Sequence, residues 1–365
     1  MNTPEVLKNS SARLDVDLDN IINNYLLLAG VAPHADCAAV VKANAYGLGM
    51  DQVAPAIYHN TNCNIFFVAN LVEAVNLRSL LPDAVIYVFN GLFADQVDTY
   101  LAHNIRPIIN DLSQVELWSG RTEPCAVHFD TGINRLGLSE LETDKFLNSF
   151  NSLNLSLILS HLVSAEQADN ETNKIQLEKF TKISEELNDI PASLANSAGI
   201  YLGEGYHFDM LRPGIMLYGG NPGLPTRPAG LKDTATLKAR ILQIRDLPPG
   251  MSVGYGAKWT AQKPTRVALL NVGYADGTFK TSDGNVHIFI SGAYAPVIGK
   301  VSMDMIAADI TAGEFDGVTV TDFAEILGSN ITLEMVSKVS TLGQYELLTG
   351  IGQRYDKNYN LGTYA

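Results

Sequence analysis

Lys42 closes a short apolar run, AAVVK at residues 38–42, and the chain continues as ANAYGLG. An amine carried on a buried strand is partly desolvated, so its pKa falls and it becomes a candidate for Schiff-base chemistry. A lysine on an ordinary strand end instead extends its head into water. Two later stretches offer hydroxyls and backbone amides of the kind that cradle a phosphate: LANSAG at 194–199 with Ser197, and RPGIMLYGG at 212–220 with Gly214 and Ile215. A lysine able to form an imine beside a phosphate cradle points to pyridoxal phosphate. Competing signatures are weak or absent: the chain has no G-x-x-x-x-G-K-[ST] and no H-E-x-x-H. His161 lies near Glu166 and Asp169, but no dense ligand cluster accompanies them and no metal is expected.

For these groups to meet, the elements carrying them must converge. Eight short apolar runs recur at 38–42, 65–69, 85–89, 106–109, 125–129, 155–161, 193–197 and 209–217. Segments of helix length separate them, for example 171–188 with Ile175, Leu177, Phe180 and Ile183 on its apolar positions. Strands alternating with helices imply parallel βα units, and eight of them fit a (β/α)8 TIM-type barrel, which takes about 250 residues. A doubly wound sheet is the alternative, usually with fewer strands. Active sites of such barrels lie at the C-terminal strand ends. Here those ends read Lys42, Asn70, Asn90, Asn110, His128 with Asp130, Ser160 with His161, Asn196 with Ser197, and Arg212, a polar ring over an apolar barrel.

From about residue 230 the texture changes. A Pro/Gly hinge, RPAGLKD, leads into β-rich text with glycine turns, such as TATLKARILQIRDL and NVHIFISGAYAPVIGKVSMDM. The expected fold class is therefore α/β, with a barrel over 1–230 and a mostly-β domain, a barrel or a sandwich, over 231–365.

Composition sets the outer bounds. The 365 residues are 46% hydrophobic and 18% charged, an ordinary globular balance, and the net charge of −14 argues against a nucleic-acid or anionic-membrane partner. Cys37, Cys63 and Cys125 have no C-x-x-C spacing and read as reduced, structural thiols. The start, MNTPEVLKNSS, has no apolar stretch of leader length, and no segment reads as a membrane span. The expectation is a soluble, cytoplasmic protein.

In order along nearly the whole chain, eight motifs resemble those of the alanine racemases, a pyridoxal-phosphate family built from a barrel and a β-domain. They are VVKANAYGLG (40–49), FDTGINRLGL (129–138), SHLVSAEQ (160–167), ANSAG (195–199), RPGIMLYGG (212–220), VGYGAKWTA (253–261), VGYADG (272–277) and GKVSMDM (299–305). The resemblance implies interconversion of L- and D-alanine, with D-alanine destined for peptidoglycan, by a homodimer with shared active sites. Lys42 would hold the cofactor as an imine and act as one base; Tyr255 would reach the partner's barrel as the other. Tyr46, Ser197, Gly214 and Ile215 would hold the phosphate, Arg212 would face the pyridine nitrogen with His161 beside it, and Asn196 would belong to the cofactor site. Arg135 would contact the cofactor's phenolic oxygen and the substrate carboxylate. The Met303 amide would bind that carboxylate, and Tyr274 and Asp304 would line the way in.

The chemistry is coherent in itself. Racemisation removes a proton from one face of Cα and returns it to the other, hence two bases. A free tyrosine has a pKa of about 10, so a cationic network of His161 and Arg212 is expected to stabilise its phenolate. An arginine facing the pyridine nitrogen will hardly protonate it, which weakens the ring as an electron sink and favours prompt reprotonation.

Three positions depart from the family pattern. His128 stands where many members carry a carbamylated lysine that braces the arginine, so no carbamate is expected, and an anion or neighbouring amide is the expected brace for Arg135. Ser302 replaces a cysteine. Gln353 and Tyr355 flank Arg354 where a phosphate-binding tyrosine would precede the arginine. Alternatives are a racemase of broader specificity, a basic-amino-acid decarboxylase, and a non-catalytic pyridoxal-phosphate carrier. Arg212, the placement of the cysteines and the presence of a second domain speak against the last two.

Overall fold

The computed structural model describes residues 12–148, 153–278, 286–340 and 342–362. The reading of the first eleven residues as free of a leader lies outside these. Two compact units emerge among the described residues: one spans Ile21–Lys232, and the other joins residues 12–20 to those of 233–362.

The first unit is a barrel of short parallel strands. Asp36–Cys37 and Ala39–Val40 form the first, followed by Ile65–Val68, Val85–Val88, Arg106–Ile109, Cys125–His128, Leu155–Leu159, Ala192–Ser193 and Met210–Leu211. From Ala39–Val40 to Ala192–Ser193 each lies beside its successor. The ring closes where Met210 and Leu211 pair in parallel with Asp36 and Cys37, and where Asn196 bridges Arg212. These strands are covered on both faces, which is why they read as nearly unbroken apolar runs rather than alternating ones. Helices between them start at side-chain caps: Asn70 accepts from the Glu73 amide, Asp111 from Gln114, and Asn170 from Thr172. The helix predicted at 171–188 runs from Glu171 to Glu186.

The second unit is antiparallel and also closes. The long strand Ala235–Leu247 pairs through its first half with Phe323–Leu327 and through its second half with Thr265–Leu270. Ile306–Asp309, Ala293–Ile298 and His287–Ile290 complete the circuit. A register shift between Ile241 and Gln243 lets one strand serve both sides, the usual work of a bulge.

One expectation is corrected here. A barrel beginning at residue 1 does not describe Ala12–Asp17, which pairs antiparallel with Ala235–Ala239 and parallel with Asp356–Asn360. Its alternation buries Ala12, Leu14 and Val16, a half-buried strand of an antiparallel sheet rather than the continuous apolar run of a parallel barrel.

Candidate active site

Lys42 leaves the first barrel strand at a turn with an unusual backbone. Ala43, Asn44, Ala45 and Tyr46 all have positive φ, between 52° and 55°, a short run of left-handed helix. Each such non-glycine residue costs about 1–2 kcal/mol, so the turn persists only because its surroundings over-determine it. Glu73 spans it: one carboxylate oxygen accepts from the Ala43 amide at 2.7 Å and the other from the Ala69 amide at 2.8 Å. The Asn44 side chain accepts from the Met50 amide at 2.9 Å. The turn leaves Lys42 at the strand end and carries Tyr46 inward, where it stacks on Tyr218 with ring centroids 4.7 Å apart.

Lys42 lines a cavity of about 220 Å³ with Asn90, His128, Arg135 and His161 against Ala69, Phe89, Leu136 and Leu159. Its ammonium nitrogen lies 5.3 Å from the centre of the Phe89 ring. Burial, then the Arg135 guanidinium, hold the Lys42 pKa below the ordinary lysine value, with Glu73 opposing them. The amine is therefore more readily unprotonated than a surface lysine, as its position in the sequence predicts.

Beside this cavity the seventh and eighth strand ends build a cradle. The Ser197 hydroxyl accepts from the Gly214 amide at 2.9 Å and faces the Met216 amide at 3.5 Å. A Cβ on Gly214 would sit 2.3 Å from the Tyr46 hydroxyl, so only glycine lets the two approach. Arg212 is buried and donates to the Ser193 hydroxyl and the Ser160 carbonyl. It pairs with no carboxylate among the described residues. Burial brings its pKa down to about 9, which still leaves a cation at neutral pH. Arg135 and Arg212 are cations near enough to His128 and His161 to depress both, and Lys42 adds a basic amine, a field suited to an anionic ligand.

His128 and His161 are both neutral at pH 7. Burial, with Arg212 adding to it, brings His128 down to about 4. Burial and then Arg212, Arg135, His128 and Lys42 push His161 well below the ordinary value. A cationic network including His161 is therefore corrected to Arg212 alone, because a buried imidazole among cations does not take up a proton.

Not every member of the sequence-derived ring reaches the mouth. Asn70 is spent as a helix cap, and the Asp130 carboxylate accepts from the Gly132 and Ile133 amides, both at 2.9 Å. Asn196 accepts from the Gly199 amide at 2.9 Å, and its amide group lies 3.5 Å from the Leu162 carbonyl. Ser160 pairs with Thr131 at 2.7 Å. Gln176 reaches Thr131, the His161 carbonyl and the Val163 amide, a brace that nothing in its helical pattern announced. Glu73 was also missed, although N-L-V-E at 70–73 has capping-box spacing.

In the second unit three loops gather. Tyr274 and Ala275 donate their amides to the Ser302 and Met303 carbonyls at 3.1 and 3.0 Å, while Gly254 and Gly299 pack closely against Lys300 and Val253 respectively. Tyr255, Tyr274 and Met303 are 73%, 39% and 53% exposed on this unit. Arg354 ties Asp276 to Asp304, each at 2.8 Å. Tyr355 is buried, and its hydroxyl donates to the Asp276 carbonyl at 2.7 Å.

Comparison with known proteins gives this geometry its setting. The family described as alanine racemase, N-terminal domain, matches residues 16–222, and alanine racemase, C-terminal domain, matches 234–359. The chain belongs to the alanine racemase family. Its relatives include the alanine racemase of Methylobacterium nodulans, 40% identical over 96% of this chain and 97% of its own, and that of Rickettsia akari, 39% identical over 96% and 99%. The crystal structure of Bartonella henselae alanine racemase with covalently bound pyridoxal phosphate is similar at a TM-score of 0.90 and 34% identity, covering 96% of this chain and 99% of that one. The biosynthetic alanine racemase of Pseudomonas aeruginosa follows at 0.88 and 32%, with coverage of 96% and 99%.

Within the family pattern, two departures take on physical meaning. At residue 128, where the resemblance leads one to expect a chargeable amine, a buried imidazole is held by Asn110 at 3.0 Å. At the C-terminal end, Tyr355 is engaged inside the β unit and Arg354 is engaged by two carboxylates.

Proposed function

We propose that this protein interconverts L- and D-alanine with pyridoxal 5'-phosphate, in the cytoplasm, as a homodimer with shared sites, and supplies D-alanine for peptidoglycan. The observation that carries the reading is the half-buried, pKa-lowered Lys42 sharing a cavity with Arg135 beside the Ser197–Gly214–Tyr46 cradle. The site fits the cofactor on its own terms. It has a close approach that glycine alone permits, a buried Arg212 with no carboxylate partner among the described residues, and two arginine cations for a phosphate and a substrate carboxylate.

The cofactor, when bound, withdraws electrons from the amino acid and so acidifies its Cα proton. Lys42 would hold it covalently, and Tyr46, Ser197, Gly214 and Ile215 would hold its phosphate. Arg212 would sit at the pyridine nitrogen; with a pKa of about 9 it stays a cation at neutral pH and would not protonate that nitrogen. His161 and Asn196 would complete the surroundings of the ring. Arg135 and the Met303 amide would orient the substrate carboxylate, and Tyr274 and Asp304 would narrow access. Lys42 would exchange the proton on one face of Cα, and the partner subunit's Tyr255 on the other.

The test is to load the purified protein with pyridoxal phosphate and incubate it with single L-amino acids, following optical rotation and the appearance of D-alanine. Loss of rotation with L-alanine is expected. Inertness toward L-alanine together with carbon dioxide release from lysine or ornithine would overturn the reading.

A further inference from the structure

The imidazole of His128 is buried, and its Nε2 has no hydrogen-bond partner among the described residues. Buried polar atoms are nearly always satisfied, so an orphan calls for a missing partner. Which partner follows from the other ring nitrogen. The Asn110 amide group donates to the Phe89 and Ile108 carbonyls, both at 2.9 Å, which fixes its orientation and turns its oxygen toward His128 Nδ1 at 3.0 Å. An oxygen there accepts, so Nδ1 carries the proton and Nε2 presents a lone pair.

The loop that carries one such donor is folded back onto this ring. The loop after the fifth strand returns so that the Leu138 amide donates to the His128 carbonyl at 2.8 Å and the Asp130 amide to the Leu138 carbonyl at 2.9 Å. Gly137, at φ 109°, lies against the imidazole, where an added Cβ would be 3.1 Å from His128 Cγ. Arg135 stands two residues before it, lines the same cavity as His128, and pairs with no carboxylate among the described residues.

We propose that His128 Nε2 accepts a hydrogen bond from the Arg135 guanidinium and thereby positions that arginine in the Lys42 cavity. A lone pair repels an anion and an imidazole offers no amine to carbamylate, so neither a bound anion nor a carbamate is needed to hold Arg135. The catalytic consequence rests on the racemase reading; the hydrogen bond does not.

Nitrogen NMR of protein carrying ¹⁵N-labelled histidine tests the bond directly, with the His128 signals assigned by their loss in His128→Gln. At neutral pH a pyrrole-type Nδ1 and a pyridine-type Nε2 are expected, with Nε2 moving on Arg135→Leu and not on Lys42→Ala. A protonated Nε2, or one indifferent to Arg135→Leu, overturns the proposal. Kinetics then separate positioning from packing. Asparagine mimics Nδ1 and glutamine mimics Nε2, so a packing role predicts that His128→Asn is the milder change. Positioning predicts the reverse. His128→Asn should lose about tenfold or more in kcat/KM for L-alanine, the scale of a lost hydrogen bond to a charged group, while His128→Gln keeps most activity. Added chloride or bicarbonate should leave the wild-type rate unchanged, and stimulation by either counts against the proposal. A wild-type protein inert toward alanine would sink the racemase reading alone and leave the NMR result standing.

Discussion

At the residue scale, the site depends on groups whose pKa values are held below their ordinary ones. Lys42 is lowered by burial and Arg135, and His128 is brought from 6.5 to about 4. A base with a depressed folded pKa makes stability fall with pH, because below its unfolded pKa the unfolded chain binds more protons than the folded one. For His128 that contribution is intact above 6.5 and is lost as the pH drops toward about 4. Between pH 7 and pH 5 the loss is about 2 kcal/mol. Urea denaturation of the wild type and His128→Gln at both pH values should show the variant losing less on acidification, by about that amount. Equal losses would mean that His128 is not buried as a neutral ring. The strand-end lysine was legible in sequence because a local apolar run delivers it. The neutrality of His128 and His161 was not, because it depends on Arg212 and Arg135, which reach them through the fold.

At the element scale, the left-handed turn at 43–46 and the eighth strand end meet through Tyr46 and Gly214. An alanine at Gly214 is opposed by contact, since its Cβ would meet the Tyr46 hydroxyl at 2.3 Å. Gly214→Ala should push the Tyr46 ring aside and weaken pyridoxal phosphate binding about tenfold or more, given an overpacking cost of about 1–3 kcal/mol. Absorbance titration of the cofactor-free protein measures it. Gly30 in the helix Leu18–Val31 meets nothing within 4 Å of an added Cβ, and Gly30→Ala should leave that affinity alone and raise stability by up to about 1 kcal/mol. Equal effects at the two glycines would remove the steric argument. The eight barrel strands were readable because parallel strands buried on both faces announce themselves as apolar runs. The place of Ala12–Asp17 was not, because its pairing with Ala235–Ala239 is non-local and leaves no mark on neighbouring sequence. The ring of strand-end polar residues was only partly right for the same reason: Asn70 and Asp130 lie at strand ends yet turn to their own backbone amides.

At the scale of the whole molecule, the proposed site is divided. Lys42, Arg135 and Arg212 lie in one unit of the chain and Tyr255, Tyr274 and Met303 in the other, where Tyr255 is 73% exposed. If each site takes its lysine from one subunit and its tyrosine from the other, two dead variants complement each other. Lys42→Ala and Tyr255→Phe are each expected to be inactive as pure dimers. Mixing them after dissociation, in equal amounts, gives heterodimers as half of the population. In each heterodimer one site combines the intact lysine of one chain with the intact tyrosine of its partner, while the other site lacks both. Random assembly of such a two-fold dimer therefore restores about a quarter of wild-type activity per total protein. Were lysine and tyrosine contributed by the same chain, every site in the mixture would lack one of them and no activity would return. The readout is kcat alone, measured with saturating L-alanine. It distinguishes the two arrangements without any assumption about which face of Cα each base serves.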